Sequence, residues 1–293
     1  MRRTIQQTVL VLLLGVLLTP SEAQADFRHS RMGARPRALG SAFVSLSDDP
    51  NAVFWNPAGL TRDRRLSALI SRAWLYSVSD LRNDDLVISG VEWGGLHFGA
   101  GFLRLGIDDL FYEDTYSLAV ATEVPWLDGL SFGMANKIFR LAAPGYERYN
   151  DPAYNGGDTG WALDLGLHYD SGESWTLGAA LHNLNEPYLQ LITTTVKSDP
   201  VYDQFAIGGS YLFRETLRLS ADLRSREGGW DDSALYGGAE IWFFNTLALR
   251  SGIGDGQISM GFGLQDVHWQ LDIALESHEE LKNVYILSFT VRD

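Results

Sequence analysis

Apolar–polar alternation, repeated in about fourteen short segments, limits this chain more than any other feature. In His268-Trp269-Gln270-Leu271-Asp272-Ile273-Ala274-Leu275-Glu276, Trp269, Leu271, Ile273 and Leu275 face one way, while His268, Gln270, Asp272 and Glu276 face the other. Leu217, Leu219, Ala221 and Leu223 are set in the same way against Arg218, Ser220, Asp222 and Arg224. Successive side chains of a strand point to opposite faces, so this period predicts strands with one apolar and one polar side. Such segments begin near residues 66, 84, 95, 114, 129, 159, 174, 201, 216, 232, 246, 257, 268 and 281. Their number is even, and their length approaches the roughly 9–11 residues that a tilted strand needs to cross a bilayer.

The connections sort into two kinds. Gly94-Gly95, residues 125–128, 171–173, Arg214-Glu215, Phe244-Asn245 and the step at Asp266-Val267 read as tight turns. Residues 106–113, 142–158 and 185–200 read as longer loops, although the last three connections on their side are short. Short turns at one end and longer loops at the other are the mark of a transmembrane barrel. Alternation alone also describes a soluble sandwich, but few connections are long enough for Greek-key crossovers. Aromatics near segment ends (Trp74, Tyr76, Trp93, Tyr169, Trp175, Tyr211, Phe213, Trp242 and Phe243) suit an interfacial girdle. The expected fold is an all-β, transmembrane antiparallel barrel of about fourteen strands, over residues 66–293.

Residues 1–25 read as a cleaved signal peptide: Arg2 and Arg3 precede the apolar run Val9 to Leu18, and Ala23-Gln24-Ala25 fits a small-x-small cleavage site. The chain has no cysteine, which excludes disulfide scaffolds, thiolate metal sites and a cysteine nucleophile. Its formal charge of -14 argues against nucleic acid as a partner. Residues 26–65 break the trend. They do not alternate, and they set Arg28, Arg31, Arg35, Arg37, Arg62, Arg64 and Arg65 against only Asp26, Asp48, Asp49 and Asp63. A basic segment attached to an acidic barrel is suited to fold back into its polar lumen.

Within that segment, Gly40, Pro57 and Gly59 mark tight turns, and Asp48-Asp49-Pro50 and Asn56-Pro57 place acceptors where they can cap turns. Leu39, Phe43, Val44, Phe54, Trp55 and Leu60 are too apolar for a free tail. The run from Gly33-Ala34 through Asp48-Asp49-Pro50-Asn51-Ala52 to Trp55-Asn56-Pro57-Ala58-Gly59-Leu60 resembles the N-terminal hatch of the FadL superfamily of outer-membrane proteins, most closely its PorV-like branch. The resemblance extends through Asp158 to Trp161, Gly178 to Asn183, Gly237 to Trp242 and Gly261 to Gly263. It implies a fourteen-stranded barrel whose lumen holds a hatch, in the outer membrane of a Gram-negative-type bacterium, among outer-membrane lipids and inserted by the barrel assembly machinery. The ending Phe289-Thr290-Val291-Arg292-Asp293 departs from the aromatic C-terminus usual in such barrels.

A PorV-like role implies an accessory for protein export or surface attachment, with a secretion-system component or exported protein as partner. A FadL-like role implies uptake of hydrophobic small molecules such as long-chain fatty acids. For the second, Phe43, Phe54, Trp55 and Leu60 are the candidate apolar contacts. For either, the loop residues Tyr146, Tyr149, Tyr154, Tyr188 and Leu189 are candidates to meet a ligand or partner. No cofactor or metal is expected. Asp164, His168 and Asp170 share a strand face, as do His268, Asp272 and Glu276. Residues two apart on a strand are separated by roughly 6.6–7 Å, which is too far for one strand to supply three ligands. With no nucleophile or phosphate-loop motif, the chain reads as a non-enzyme.

Overall fold

The computed structural model describes residues 33–78, 80–191, 200–225, 229–278 and 281–293. The expected signal peptide, residues 1–25, lies outside them, as does the start of the basic segment. The strands are β1 (Ser67–Trp74), β2 (Arg82–Trp93), β3 (Leu96–Ile107), β4 (Phe111–Glu123), β5 (Leu130–Ala142), β6 (Asp158–Asp170) and β7 (Trp175–His182). They continue as β8 (Gln204–Phe213), β9 (Leu217–Ser225), β10 (Ser233–Phe243), β11 (Leu247–Gly254), β12 (Gln257–Gln265), β13 (Trp269–Glu276) and β14 (Val284–Arg292). Each pairs antiparallel with its sequence neighbours, and β1 pairs with β14 to close the barrel. Every strand starts within about three residues of its expected position, because the alternation that marks it also decides which side is buried.

The wall is apolar outside and polar inside. In β5 the outward side chains include Phe132, Met134 and Ile138, while Ser131, Lys137 and Phe139 point inward and are buried. A closed sheet leaves no unpaired edge, so the backbone donors and acceptors of the wall are satisfied without water. One irregularity interrupts the ladder. Between β2 and β3 the register shifts at Ser89-Gly90, where Gly90 has a φ of 83° and fits against the backbone of Arg65.

Three sequence expectations are corrected. The loop read at 106–113 is mostly strand, and only residues 108–110 connect β3 to β4. Trp242 occupies an even, inward position of β10 and lies under the Arg250 guanidinium, 5.5 Å from its carbon. Tyr76 lies beyond the end of β1, edge-on to His278 at 5.4 Å. Neither belongs to a girdle. Trp74, Trp93, Trp175, Tyr211, Phe213 and Phe243 do point outward near strand ends.

Residues 33–65 pass through the barrel. A short helix (Ala34–Ala38) packs on β11 to β14, a second (Ala52–Trp55) on β3 and β4, and a 3-10 turn (Pro57–Thr61) on β2 to β6. They are almost wholly buried. Leu118, at 71% exposure, is the most exposed outward aliphatic in the middle of a strand. Leu118→Arg should weaken folding into phospholipid vesicles by about 2–4 kcal/mol, measured by reversible urea titration. An unchanged midpoint would mean that this face does not meet hydrocarbon.

Candidate functional site

The internal segment is held by ion pairs, by backbone hydrogen bonds to wall side chains, and by apolar packing. Arg35 is the hub of the first group. Its guanidinium reaches Asp48 (2.5 Å) and Asp49 (2.8 Å) within the segment and Glu240 of β10 (3.0 Å). Glu240 also accepts from Arg250 (2.6 Å), which donates to Asp272 (2.7 Å), and Arg218 reaches Asp48 (3.2 Å). Arg37 pairs with Glu276, and Arg62 with Asp170. Burial alone would raise the Asp48 carboxyl, but Arg35 and Arg218 hold it well below the usual carboxylate range.

The second group ties the segment's backbone to the wall. Asp222 accepts the backbone N–H groups of Phe43 (2.7 Å) and Val44 (2.9 Å). The Ser45 carbonyl lies 2.8 Å from His168 Nε2 and accepts from Thr176 Oγ1 at 2.7 Å. Ser288 Oγ accepts from the Ala34 N–H (2.8 Å), and Ser259 Oγ from the Gly40 N–H (2.9 Å). Asn56 bridges the two bodies. Its Nδ2 donates to the carbonyls of Val44 and Leu167, both at 2.9 Å, while its Oδ1 accepts from the Ala58 N–H at 3.2 Å. Close approach requires wall glycines: a Cβ at Gly166 would lie 2.2 Å from Asn56 Oδ1. Gly40, with a φ of 62°, turns the chain against β11, where a Cβ would meet the Ile253 nitrogen at 2.4 Å.

Phe43, Phe54, Trp55 and Leu60 are all buried in one apolar cluster with Leu69, Val87, Leu103 and Ile286 of the wall. Phe43 and Trp55 meet edge-on at 5.8 Å, and Arg224 covers Trp55 at 5.0 Å. Asp48 and Asp49 divide their work. Asp48 serves the ion pairs, whereas Asp49 Oδ1 also accepts from the Asn51 backbone (2.9 Å) ahead of Pro50 and the second helix. A cavity of about 500 Å³ lies at the short-turn end and is lined by Arg35, Asp48, Arg62, Arg218, Glu240 and Trp242. Arg218, Glu240 and Trp242 are wall residues that the sequence analysis did not assign to the site. The inward phase of Arg218 was visible in the alternation, but its association with Asp48 beside Arg35 was not.

The loop candidates separate. Tyr146 lies 5.4 Å from both Tyr149 and Tyr154 and donates to Asp151 (2.8 Å). Tyr188 is exposed and bridges to Pro200. Leu189 is buried with Phe139, Ala162 and Val201, so it supports the wall instead of presenting a contact. The acid–histidine groupings are dispersed as well. Asp164 binds Lys137 (2.6 Å) and His182 (2.7 Å), while His168, Asp170, Asp272 and Glu276 each serve the separate contacts already given.

Asp63, at the exit of the segment, is buried. Burial, reinforced by the Asp49 charge, pushes its carboxyl up to about 6 against hydrogen bonds from Ser89 (2.5 Å) and Ser67 (3.3 Å). An acid with a raised folded-state pKa favours the fold below its unfolded value and loses that contribution as pH rises through about 6. Relative to Asp63→Asn, the wild type should therefore lose thermal stability between about pH 4 and 7, measured as the difference in Tm across that range. A constant difference would contradict this assignment.

Comparison with known proteins places the architecture. A family model described as "F plasmid transfer operon, TraF, protein" matches residues 111–234, less than half of the chain. No curated protein sequence matches. Among solved structures, the chain is similar to the CymD monoaromatic hydrocarbon channel (TM-score 0.63, 13% identity, 89% of this chain and 97% of that one). It is similar also to the toluene transporter TodX of P. putida (0.62, 14%, 90% and 99%) and to a Pseudomonas aeruginosa FadL homologue (0.57, 14%, 86% and 96%). At these identities the likeness establishes the fold: a closed fourteen-stranded barrel of the FadL type.

Proposed function

We propose that this chain is an outer-membrane channel of the FadL superfamily that admits hydrophobic small molecules, with residues 33–65 as its hatch. The observation that carries this reading is the apolar cluster joining Phe43, Phe54, Trp55 and Leu60 to the wall inside an otherwise polar lumen. A hydrophobic molecule entering from the long-loop end would replace hatch–wall contacts in that cluster as the hatch shifts. No disulfide ties the hatch to the wall, since the chain lacks cysteine. Its ion pairs converge at the short-turn end, where the polar cavity gives it room to move. Structural likeness to channels named for monoaromatic hydrocarbons and toluene favours this reading over the export-accessory role that the PorV-like motif implies. It assigns the protein no catalytic step.

The absence of native cysteine makes the test clean. A Cβ at Gly99 of β3 would lie 2.6 Å from Val53 Cγ2, within disulfide reach. Cells producing the wild type should take up radiolabelled toluene or palmitate faster than cells without it. The oxidised Val53→Cys/Gly99→Cys variant should fall to background, and a reductant should restore it. Uptake equal to background in wild type would overturn the channel reading, and full uptake by the oxidised variant would overturn the moving hatch.

A further inference from the structure

The outward face of β6 to β14 carries no charged side chain among the described residues. On β1 to β5 it carries six, all near the long-loop end. Five of them form a single cross-strand row, each in register with the next: Arg72, Asp84, Arg104, Asp114 and Arg140. The outward row beneath it is Ile70, Leu86, Phe102, Tyr116 and Ile138, which is apolar but for one phenol. The row above includes Trp74, Arg82 and Tyr112. A sharp change from apolar to charged, with aromatics alongside, marks the depth at which hydrocarbon gives way to lipid headgroups.

The aspartates act as braces for the arginines. Arg72 grips Asp84 with both arms of its fork (2.6 and 3.1 Å), and Arg104 grips Asp114 (2.6 and 2.8 Å). Asp114 is fully buried, so the surface it leaves exposed is basic. Arg104 and Arg140 flank the Tyr112 ring at 4.5 and 5.6 Å, and Arg140 has no carboxylate partner among the described residues. Arg82 joins the arc, pairing with Asp84 (3.1 Å) and with Asp108 of the adjoining turn. Four arginines thus face three aspartates, on a chain whose overall charge is -14. A recess of about 200 Å³ opens between Arg82, Arg104, Asp108, Asp109, Tyr112 and Pro144, so Asp109 adds a fourth acid at its rim while Arg140 stays outside the pairs.

We infer that this arc is a binding site for the net-anionic, phosphate-bearing headgroup of a membrane lipid in the leaflet at the long-loop end, in preference to a zwitterionic one. A guanidinium held in a fixed plane matches phosphate oxygens through paired N–H donors, and the recess admits a group of that size. The acyl chains of the same lipid would lie along the apolar row beneath. The inference rests on the barrel being embedded in a membrane, and is independent of what passes through its lumen.

Native mass spectrometry of the full-length protein in mild detergent, with equal amounts of phosphatidylglycerol and phosphatidylcholine, tests it. Wild type should retain the anionic lipid preferentially. Arg140→Gln should reduce that preference about fivefold, the factor expected for one arginine near a headgroup. Arg104→Gln/Asp114→Asn, which removes a braced pair without stranding a charge, should reduce it similarly, with heat-modifiable gel migration confirming that both variants are folded. Equal retention of both lipids by wild type, or an unchanged preference in both variants, would overturn the site. Inorganic phosphate abolishing the preference would make it a site for soluble anions and overturn the lipid assignment. Retention of neither lipid would overturn the membrane reading itself.

Discussion

A barrel wall that turns carboxylates inward must find partners for them, and this requirement organises the molecule. Glu240, Asp272 and Asp222 are each almost completely buried. An unpaired buried charge is strongly unfavourable, and removing one partner of such a pair costs about 3–5 kcal/mol. The wall supplies Arg250 and Arg224, while the internal segment supplies Arg35 and Arg37 together with the backbone N–H groups of Phe43 and Val44. Wall and segment complete each other's polar accounts at the centre, which leaves the apolar side chains of the segment free to pack against Leu69, Val87 and Leu103.

The strands were legible in the sequence because lipid imposes its demand residue by residue: an outward position that is polar is penalised wherever it lies. That rule also explains the errors. Trp242 is large and aromatic near a strand end, but its even position in β10 sends it inward. Leu189 sits in a long connection, which suggests exposure, yet it folds back over Phe139. The basic composition of residues 26–65 pointed to an internal segment, though not to its partners, since Arg35 and Glu240 are 205 residues apart. The charged arc was harder still. Asp84-Asp85 and Glu113-Asp114 each put one acid on either side of the wall, and only the strand register shows that Asp84 and Asp114 stand in one row with three arginines.

The two ends of the barrel have different chemistry. The short-turn end is open and ionic, with a wide cavity under the hatch. At the long-loop end Leu189 packs over Phe139, and one flank of the wall carries the arginine arc. The fold type is shared with channels named for hydrocarbons, but the ion pairs that secure the internal segment belong to this chain's own residues.

The segment that fills the lumen precedes every strand in the chain, yet its anchors are distributed round the finished wall, from Leu167 in β6 to Ser288 in β14. The earliest described residues of the polypeptide can therefore reach their final place only when the last strand has taken its own. Until β10 and β13 are in place, Arg35 and Arg37 lack their wall carboxylates, and Glu240 and Glu276 lack part of their countercharge. The complete set of contacts of the internal segment thus includes one, from the Ala34 N–H to Ser288, that only the last strand of the chain can supply.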